Sequence, residues 1–360
     1  MSSTQASIVR RRLTQTGIAV GVAVSLIALA GCARSDGSGG GDCSAKPITQ
    51  FAVVTPETEA DHGWNQMGIN GATETATALG IKADVNSGVG YDNAESILTQ
   101  VADKGNQLVI AHASGFAEAG QRVAETTGTP VLGVDYETLV PNKFANVTFE
   151  AQQGGYLAGV AAANMTKTGT LGIVASAEDL NWFTMAGGFV QGVYSVHPDA
   201  AIVFAIIGPA EYGDSAGGER VAQQVIASGA DVVFGMGDGA TQGYLQAVET
   251  ASSPVIYIAT IGDVSEIDPK GVTATSVLWN FGDAYKLAIE DINTCKFGTK
   301  NYTLDVPNGG IALMDTGKLS ADAKSAADKA KAGITDGSIK VNKLTTKAEV
   351  EAAIAANTGP

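Results

Sequence analysis

The chain has 360 residues, 37 of them acidic and 22 basic, for a net charge of −15 with histidine neutral. That balance argues against nucleic acid and anionic lipid surfaces as partners, because both are bound through a basic footprint that is missing here. A neutral or zwitterionic small molecule fits the charge better, and the length suffices for two packed domains.

In chain order, a basic cluster, Arg10-Arg11-Arg12, precedes a charge-free apolar run from Gly17 to Ala30 that ends in Leu29-Ala30-Gly31-Cys32. The run has the length of a signal-peptide core and is too short for a hydrocarbon layer of ~30 Å. Small residues at Ala30 and Gly31 let a peptidase reach the backbone, and the Cys32 thiol is the expected acceptor of a diacylglyceryl group. The plainer alternative is a secretory signal with a chance cysteine. Residues 1–31 are thus expected to be a lipoprotein signal peptide and 32–46, rich in glycine and serine, a flexible tether. The protein would then be exported and lipid-anchored to the outer face of the cell membrane, since two acyl chains hold stably where one does not.

With Cys32 assigned to lipidation, Cys43 and Cys295 remain for an oxidising compartment, and a disulfide between them is predicted. Cys43 precedes the first strand and Cys295 ends a late helix expected to return to the same lobe.

From Ile48 onward, apolar β-branched runs alternate with helical patterns, which predicts an α/β fold of parallel sheets covered by helices. The first series comprises strands over 48–54, 81–85, 108–111 and 130–135, with helices over 64–79, 94–104 and 116–127. A second series follows residues 146–149, with helices over 154–165, 186–196, 222–228 and 244–250 and strands over 171–175, 202–206, 232–234 and 255–258. A strand over 272–278 and a helix over 281–293 come next. This predicts two similar lobes, 47–148 plus about 275–305 and 149–274 plus about 306–345, joined by several crossings. Residues 320–331 read as an amphipathic helix and 346–360 as a loosely held tail.

Ligands of open parallel sheets bind beyond the carboxyl ends of the strands, so those positions are the candidate site. After the first strand comes Asp61-His62-Gly63-Trp64-Asn65-Gln66. Trp64 can stack on a flat ligand and Asn65 can read donors and acceptors, with Asp61 at the start of the helix. Alternatively Trp64 is a core anchor and Asp61 only a cap. Asp238 offers a carboxylate at the same rim, or simply caps the following helix. His112 falls at the cleft edge without a cysteine or acidic cluster, so no metal site is expected. The chain lacks a Gly-x-Ser-x-Gly elbow, a phosphate-binding Gly-x-x-x-x-Gly-Lys-[Ser/Thr] loop and a zinc-helix motif, and Gly235-Met236-Gly237-Asp238-Gly239 misplaces the third glycine of a dinucleotide loop. Neither an enzyme nor a cofactor is expected.

Asp61-His62-Gly63-Trp64-Asn65-Gln66 resembles the Asp-x-Gly-Phe-Asn-Gln signature of the basic membrane protein (BMP) family, the substrate-binding lipoproteins of nucleoside-type ABC transporters. Gly154-Gly155-Tyr156-Leu157-Ala158-Gly159 is similar to the family's glycine-tyrosine-leucine-alanine-glycine helix. Further likenesses follow in order at residues 167–172, 188–193 and 229–234. The resemblance implies a type I periplasmic-binding-protein fold, with two Rossmann-like lobes and a multi-strand hinge. It also implies a purine nucleoside or related ligand captured by lobe closure, and an ABC permease as partner of a monomeric protein.

Carried over by resemblance, Trp64 replaces the aromatic that stacks on the base, Asn65 the amide that reads its edge, and Asp135 the acidic residue of the cleft. Phe183 or its neighbour Trp182 closes the stack, and Gly237 turns toward the ligand. Two departures stand out. Ala259-Thr260-Ile261-Gly262-Asp263 replaces a valine-aspartate-x-aspartate turn, leaving the sugar to Thr260 or Asp263. Leu278-Trp279-Asn280 replaces a segment that often carries lysine, so Trp279 makes the pocket more aromatic and less ionic, and Lys286 is the nearest lysine. The same fold could also serve a sensing surface lipoprotein or take a ligand that is not a nucleoside.

Overall fold

A computed structural model describes residues 47–357. The expected signal peptide, the lipidation site Cys32, the tether and Cys43 lie outside the described residues.

The chain opens with β1 (Gln50–Val54), α1 (Trp64–Leu79), β2 (Lys82–Asn86), α2 (Ala94–Asp103), β3 (Val109–Ala111), α3 (Ala117–Thr127), β4 (Val131–Val134) and β5 (Phe144–Phe149). The winding then repeats with α4 (Ala151–Ala163), β6 (Thr170–Ala175), α5 (Leu180–Val196), β7 (Ala201–Ile206), α6 (Ser215–Ala227), β8 (Val232–Met236), α7 (Thr241–Glu249), β9 (Ile256–Ile261) and β10 (Thr273–Trp279). It closes with α8 (Phe281–Asn293), β11 (Tyr302–Leu304), β12 (Ile311–Leu313), α9 (Ala321–Thr335) and α10 (Lys347–Ala355). Among the described residues, no helix is long and apolar enough to cross a membrane.

Two six-stranded sheets result, ordered β11-β5-β4-β3-β1-β2 and β12-β10-β9-β8-β6-β7. Within each, the first five strands follow one doubly wound order, reversing direction between its first and third strand, which is the switch point where such folds bind ligands. All pairings are parallel except β10 with β12. Strand alternation explains why both faces are apolar. Phe51 and Val53 of β1 face one core and Ala52 and Val54 the other, just as Val232 and Phe234 of β8 part from Val233.

The chain passes between the sheets three times. After β5 it continues as α4, which packs on α5 and α9 of the second half. After β10 it returns as α8, which packs on α1 of the first. Between β11 and β12 it crosses once more. The strand over 273–279 therefore belongs to the second sheet, paired with β9 and β12, and not to the first as its placement in 275–305 anticipated. Its alternating small and branched residues suit either sheet, so pattern alone does not assign it.

The α4–α5 contact accounts for the glycine-rich helix. A Cβ on Gly155 would lie 2.0 Å from the Met185 carbonyl oxygen, and one on Gly159 2.2 Å from that of Phe189. From the other side, Gly188 and Gly192 meet the carbonyl oxygens of Gln152 and Tyr156 at 2.0 and 2.3 Å. Four glycines thus let two helices touch backbone to backbone, an approach that no larger residue permits.

Residues 346–360, expected to be loose, include α10, which starts with a reciprocal capping box between Thr346 and Glu349 and buries Val350 completely against the core. Cys295, just past the end of α8, is disulfide-bonded, and its partner lies outside the described residues. Asn293 Oδ1 accepts the Ile48 N–H at 2.9 Å, so the segment leading into β1 runs beside this helix end.

Candidate functional site

The first turn of α1 is organised by Asp61. Its carboxylate accepts the backbone N–H of Gly63 (3.1 Å), Asn65 (2.7 Å) and Gln66 (3.0 Å), as well as the Asn65 side-chain amide (2.8 Å). These four bonds use up the acceptors of a buried carboxylate and satisfy donors that a helix start leaves unpaired. Asn65 is spent in part on the same turn.

Trp64 is fixed from below by His112. The indole N–H donates to the His112 carbonyl at 2.9 Å, and the two rings stack with centroids 4.6 Å apart. His112 Nε2 lies 2.9 Å from the Trp64 carbonyl oxygen and Nδ1 2.8 Å from the Tyr285 hydroxyl. A carbonyl can only accept, so Nε2 carries the proton and Nδ1 accepts from tyrosine. Burial pushes His112 down to about 4, which keeps the ring neutral. His112 is thus a core support for Trp64, not a group at the cleft edge. Among the described residues, no cluster of three or more His, Cys, Asp or Glu is placed to hold a metal ion.

From the second half, Asp238 follows β8 with φ +38° and reaches across the cleft, where its Oδ1 accepts the Trp64 backbone N–H at 3.0 Å. Gly63 permits the approach, since a Cβ there would lie 2.5 Å from that oxygen. A second bond crosses nearby: Asn181 Nδ2 in α5 donates to Asp135 Oδ2, past the end of β4, at 2.6 Å. Asp179 caps α5 by accepting the Asn181 and Trp182 backbone N–H groups, and its other oxygen accepts from the Tyr212 hydroxyl at 3.0 Å.

Between these contacts lies a cavity of about 440 Å³ lined by residues from the carboxyl ends of strands in both sheets. Its aromatic walls are Trp64, Tyr91, Trp182, Tyr212 and Trp279, and its charged groups are Glu57, Asp135, Asp179 and Asp238, with no lysine, arginine or histidine among the lining residues. Crowded carboxylates without a counter-charge resist ionisation. Desolvation, followed by repulsion from Asp61, pushes Asp238 up to about 8 despite its bond from Trp64. Desolvation likewise holds Asp135 up at about 7, although the Asn181 amide pulls it down.

A cavity held between two similarly wound sheets, walled by rings and acceptors, is built to bind a small molecule. The family model described as Bmp, ABC transporter substrate-binding protein PnrA-like, matches residues 48–345. The chain belongs to this family. Bmp proteins are solute-binding components of ABC transporters, which bind small-molecule ligands outside the cytoplasm for delivery to permeases, and they are not enzymes.

Among relatives, the chain is 25% identical to the transcriptional activator protein med of Bacillus subtilis, over 81% of this chain and 87% of that one. It is 26% identical to the ABC transporter nucleoside-binding protein BmpA of Lactococcus lactis, over 89% and 98%. An ABC transporter solute-binding protein from Aeropyrum pernix K1 shares the fold with a TM-score of 0.73 at 21% identity, over 87% of this chain and 98% of that one. The periplasmic-binding-protein fold expected from the motifs is thus the fold observed.

Of the residues singled out in the sequence, Trp64, Asn65, Asp135, Trp182, Asp238 and Trp279 line the cavity of this Bmp protein. Five others do not. Asp61 is consumed by the α1 turn, as above. Phe183 points into the core, leaving its neighbour Trp182, whose indole N–H reaches Ser176 Oγ at 3.2 Å, on the cavity side. Gly237 is packed over the Tyr244 ring and serves the turn that presents Asp238. The Thr260 hydroxyl turns back to the Gly235 carbonyl at 3.1 Å, and Asp263 is exposed, accepting the Ser265 N–H. Trp279 is fully buried, stacked on Phe149 at 4.4 Å, so it closes the wall where a lysine was looked for.

Glu57, Tyr91, Asp179, Asn181 and Tyr212 complete the lining without having been anticipated. The signal for two of them was present: Asp179 two residues before Asn181 at the head of an apolar stretch is a helix start, and reading α5 from Ala186 left both in a loop.

Proposed function

We propose that this protein captures a nucleoside in the cavity between its two halves and hands it to an ABC permease, held to the outer face of the membrane by lipid on Cys32. The observation that carries this reading is the pairing of ring surfaces with acceptors in a cavity without cations. Trp64, Trp182 and Trp279 line the cavity with ring surface for a base, and Asp135 and Asp238 accept bonds from ribose hydroxyls or a base N–H. The charged side chains that a nucleotide phosphate would meet are all carboxylates. The Lactococcus relative, described as nucleoside-binding, supports the same class. In this reading lobe closure is ligand-driven: a solute touching both halves selects the form in which Asp238 meets Trp64 and Asn181 meets Asp135. The disulfide of Cys295 is assigned to Cys43, which comes a few residues before β1 in the sequence.

A second reading, ligand sensing without transport, is favoured by the Bacillus relative described as a transcriptional activator. The two share the site and differ in what the closed form touches.

Calorimetric titration with adenosine, guanosine, inosine, cytidine and uridine, beside ribose and other sugars, tests the ligand class. Saturable binding of a nucleoside is expected, and silence with all five would end the nucleoside reading. Uptake of labelled ligand by cells with and without the protein separates transport from sensing.

A further inference from the structure

The cavity gathers more carboxyl groups than a neutral solute needs. Glu57, Asp135, Asp179 and Asp238 line it, and no cationic side chain does. Their surroundings do not neutralise them. Asp179 and Asp238 take bonds only from N–H and O–H donors, and Asp135 takes one from the neutral Asn181 amide. Lys343, the cation that bears on Asp135, is paired with Glu150 at 2.7 Å and is absent from the lining. Burial holds Asp135 and Asp238 toward their protonated forms, and an arriving cation would let them ionise beside it.

The rest of the wall has the matching chemistry. Five aromatic rings surround the same space, with Tyr91, 58% exposed, at its rim. Ring faces attract cations, and a ring cage backed by carboxylates is a recurring way to hold an ammonium or a charged heterocycle. Where the motif resemblance led us to look for a lysine, Trp279 stands, which removes the one cation and adds a ring.

We propose that the solute this cavity selects is a cation: a positively charged nitrogen compound, most simply a nucleoside whose base bears a positive charge. The inference rests on the cavity being the solute site and does not depend on the base-and-sugar reading. A charged base seated among the rings supplies the counter-charge that the carboxylates lack, whereas a neutral base leaves them crowded. The closed form is then completed electrostatically by its ligand.

The test is calorimetric titration of the full chain at neutral pH with 1-methyladenosine, whose methylated ring is a cation, beside two neutral compounds, adenosine and the isomer N6-methyladenosine. The cation is expected to bind about tenfold tighter than either, the range of a desolvated cation–ring contact with charge assistance. Glu57→Gln, a change at an exposed side chain, should weaken 1-methyladenosine by a larger factor than adenosine. Equal or tighter binding of the neutral nucleosides would overturn the inference and leave the nucleoside reading standing. If no nucleoside binds, that reading fails, and a panel of quaternary ammonium compounds and polyamines decides the charge: saturable binding upholds a cationic solute, and silence overturns it.

Discussion

The carboxylate of Asp238 accepts the main-chain N–H of Trp64 across the cleft at 3.0 Å, and Gly63 is the residue that lets it come so near. Because a Cβ at position 63 would also lie 2.9 Å from the Asp238 Cα, closing the cleft on any larger residue requires backbone to move. Gly63→Ala is therefore expected to weaken solute capture by about tenfold, the size of a lost hydrogen bond. Small-angle scattering should show the variant staying extended at ligand concentrations that compact the parent.

The same carboxylate sets a pH dependence. Asp238 faces Asp61, Asp179 and Glu57, with the Trp64 N–H as its donor, and Asp135 faces Asp179, Asn181 and the more distant Lys343. Both carboxyls hold a proton to higher pH in the folded protein, at about 8 and about 7, than they would in an unfolded chain. The folded state thus binds more protons, and stability falls as pH rises through that window. His112, held down at about 4 from its ordinary 6.5, works in the opposite direction and only below 6.5. Urea unfolding between about pH 6.5 and about 8 should show stability declining, and Asp238→Asn should flatten the slope.

His112 predicts a cost without a binding contact. Replacing it with alanine strands the Tyr285 hydroxyl and the Trp64 carbonyl, empties the space under the indole and frees Trp64 to tilt. A loss of about 3 kcal/mol in unfolding free energy is expected, combining a cavity with two unpaired polar groups. His112→Gln, which can still donate to the carbonyl, should recover part of it.

The α4–α5 contact predicts a sharper failure. Gly155→Ala or Gly188→Ala puts a methyl group 2.0 Å from a carbonyl oxygen on the facing helix, and both helices are packed too tightly to yield. Each should destabilise by about 3 kcal/mol or more. Gly213→Ala, where a Cβ meets nothing within 4 Å, is the control and should change stability by about 0.5 kcal/mol at most. Thermal unfolding of the three variants distinguishes them.

Much of this architecture is legible in the sequence because it follows from local rules. α1 and α8 begin and end where periodicity and start signals put them, and the alternating strands declare a parallel sheet. β11 and β12 escape notice because three residues carry no period, and α10 because a capping box at Thr346 and Glu349 is easily passed over near a chain end. The site is harder. Thr260 has the right chemistry at the right strand, yet its hydroxyl bonds to Gly235, and only the fold tells which way it turns. Trp64 is part core anchor, for one side stacks on a buried histidine while the residue still lines the cavity.

The three passages between the sheets have a consequence for inheritance as well as for motion. Each half borrows a helix that the other half's last long strand delivers, so neither is a contiguous stretch that could be cut out and expressed alone. A gene truncated between β5 and β10 would lose α8 and uncover the side of α1 that packs on it.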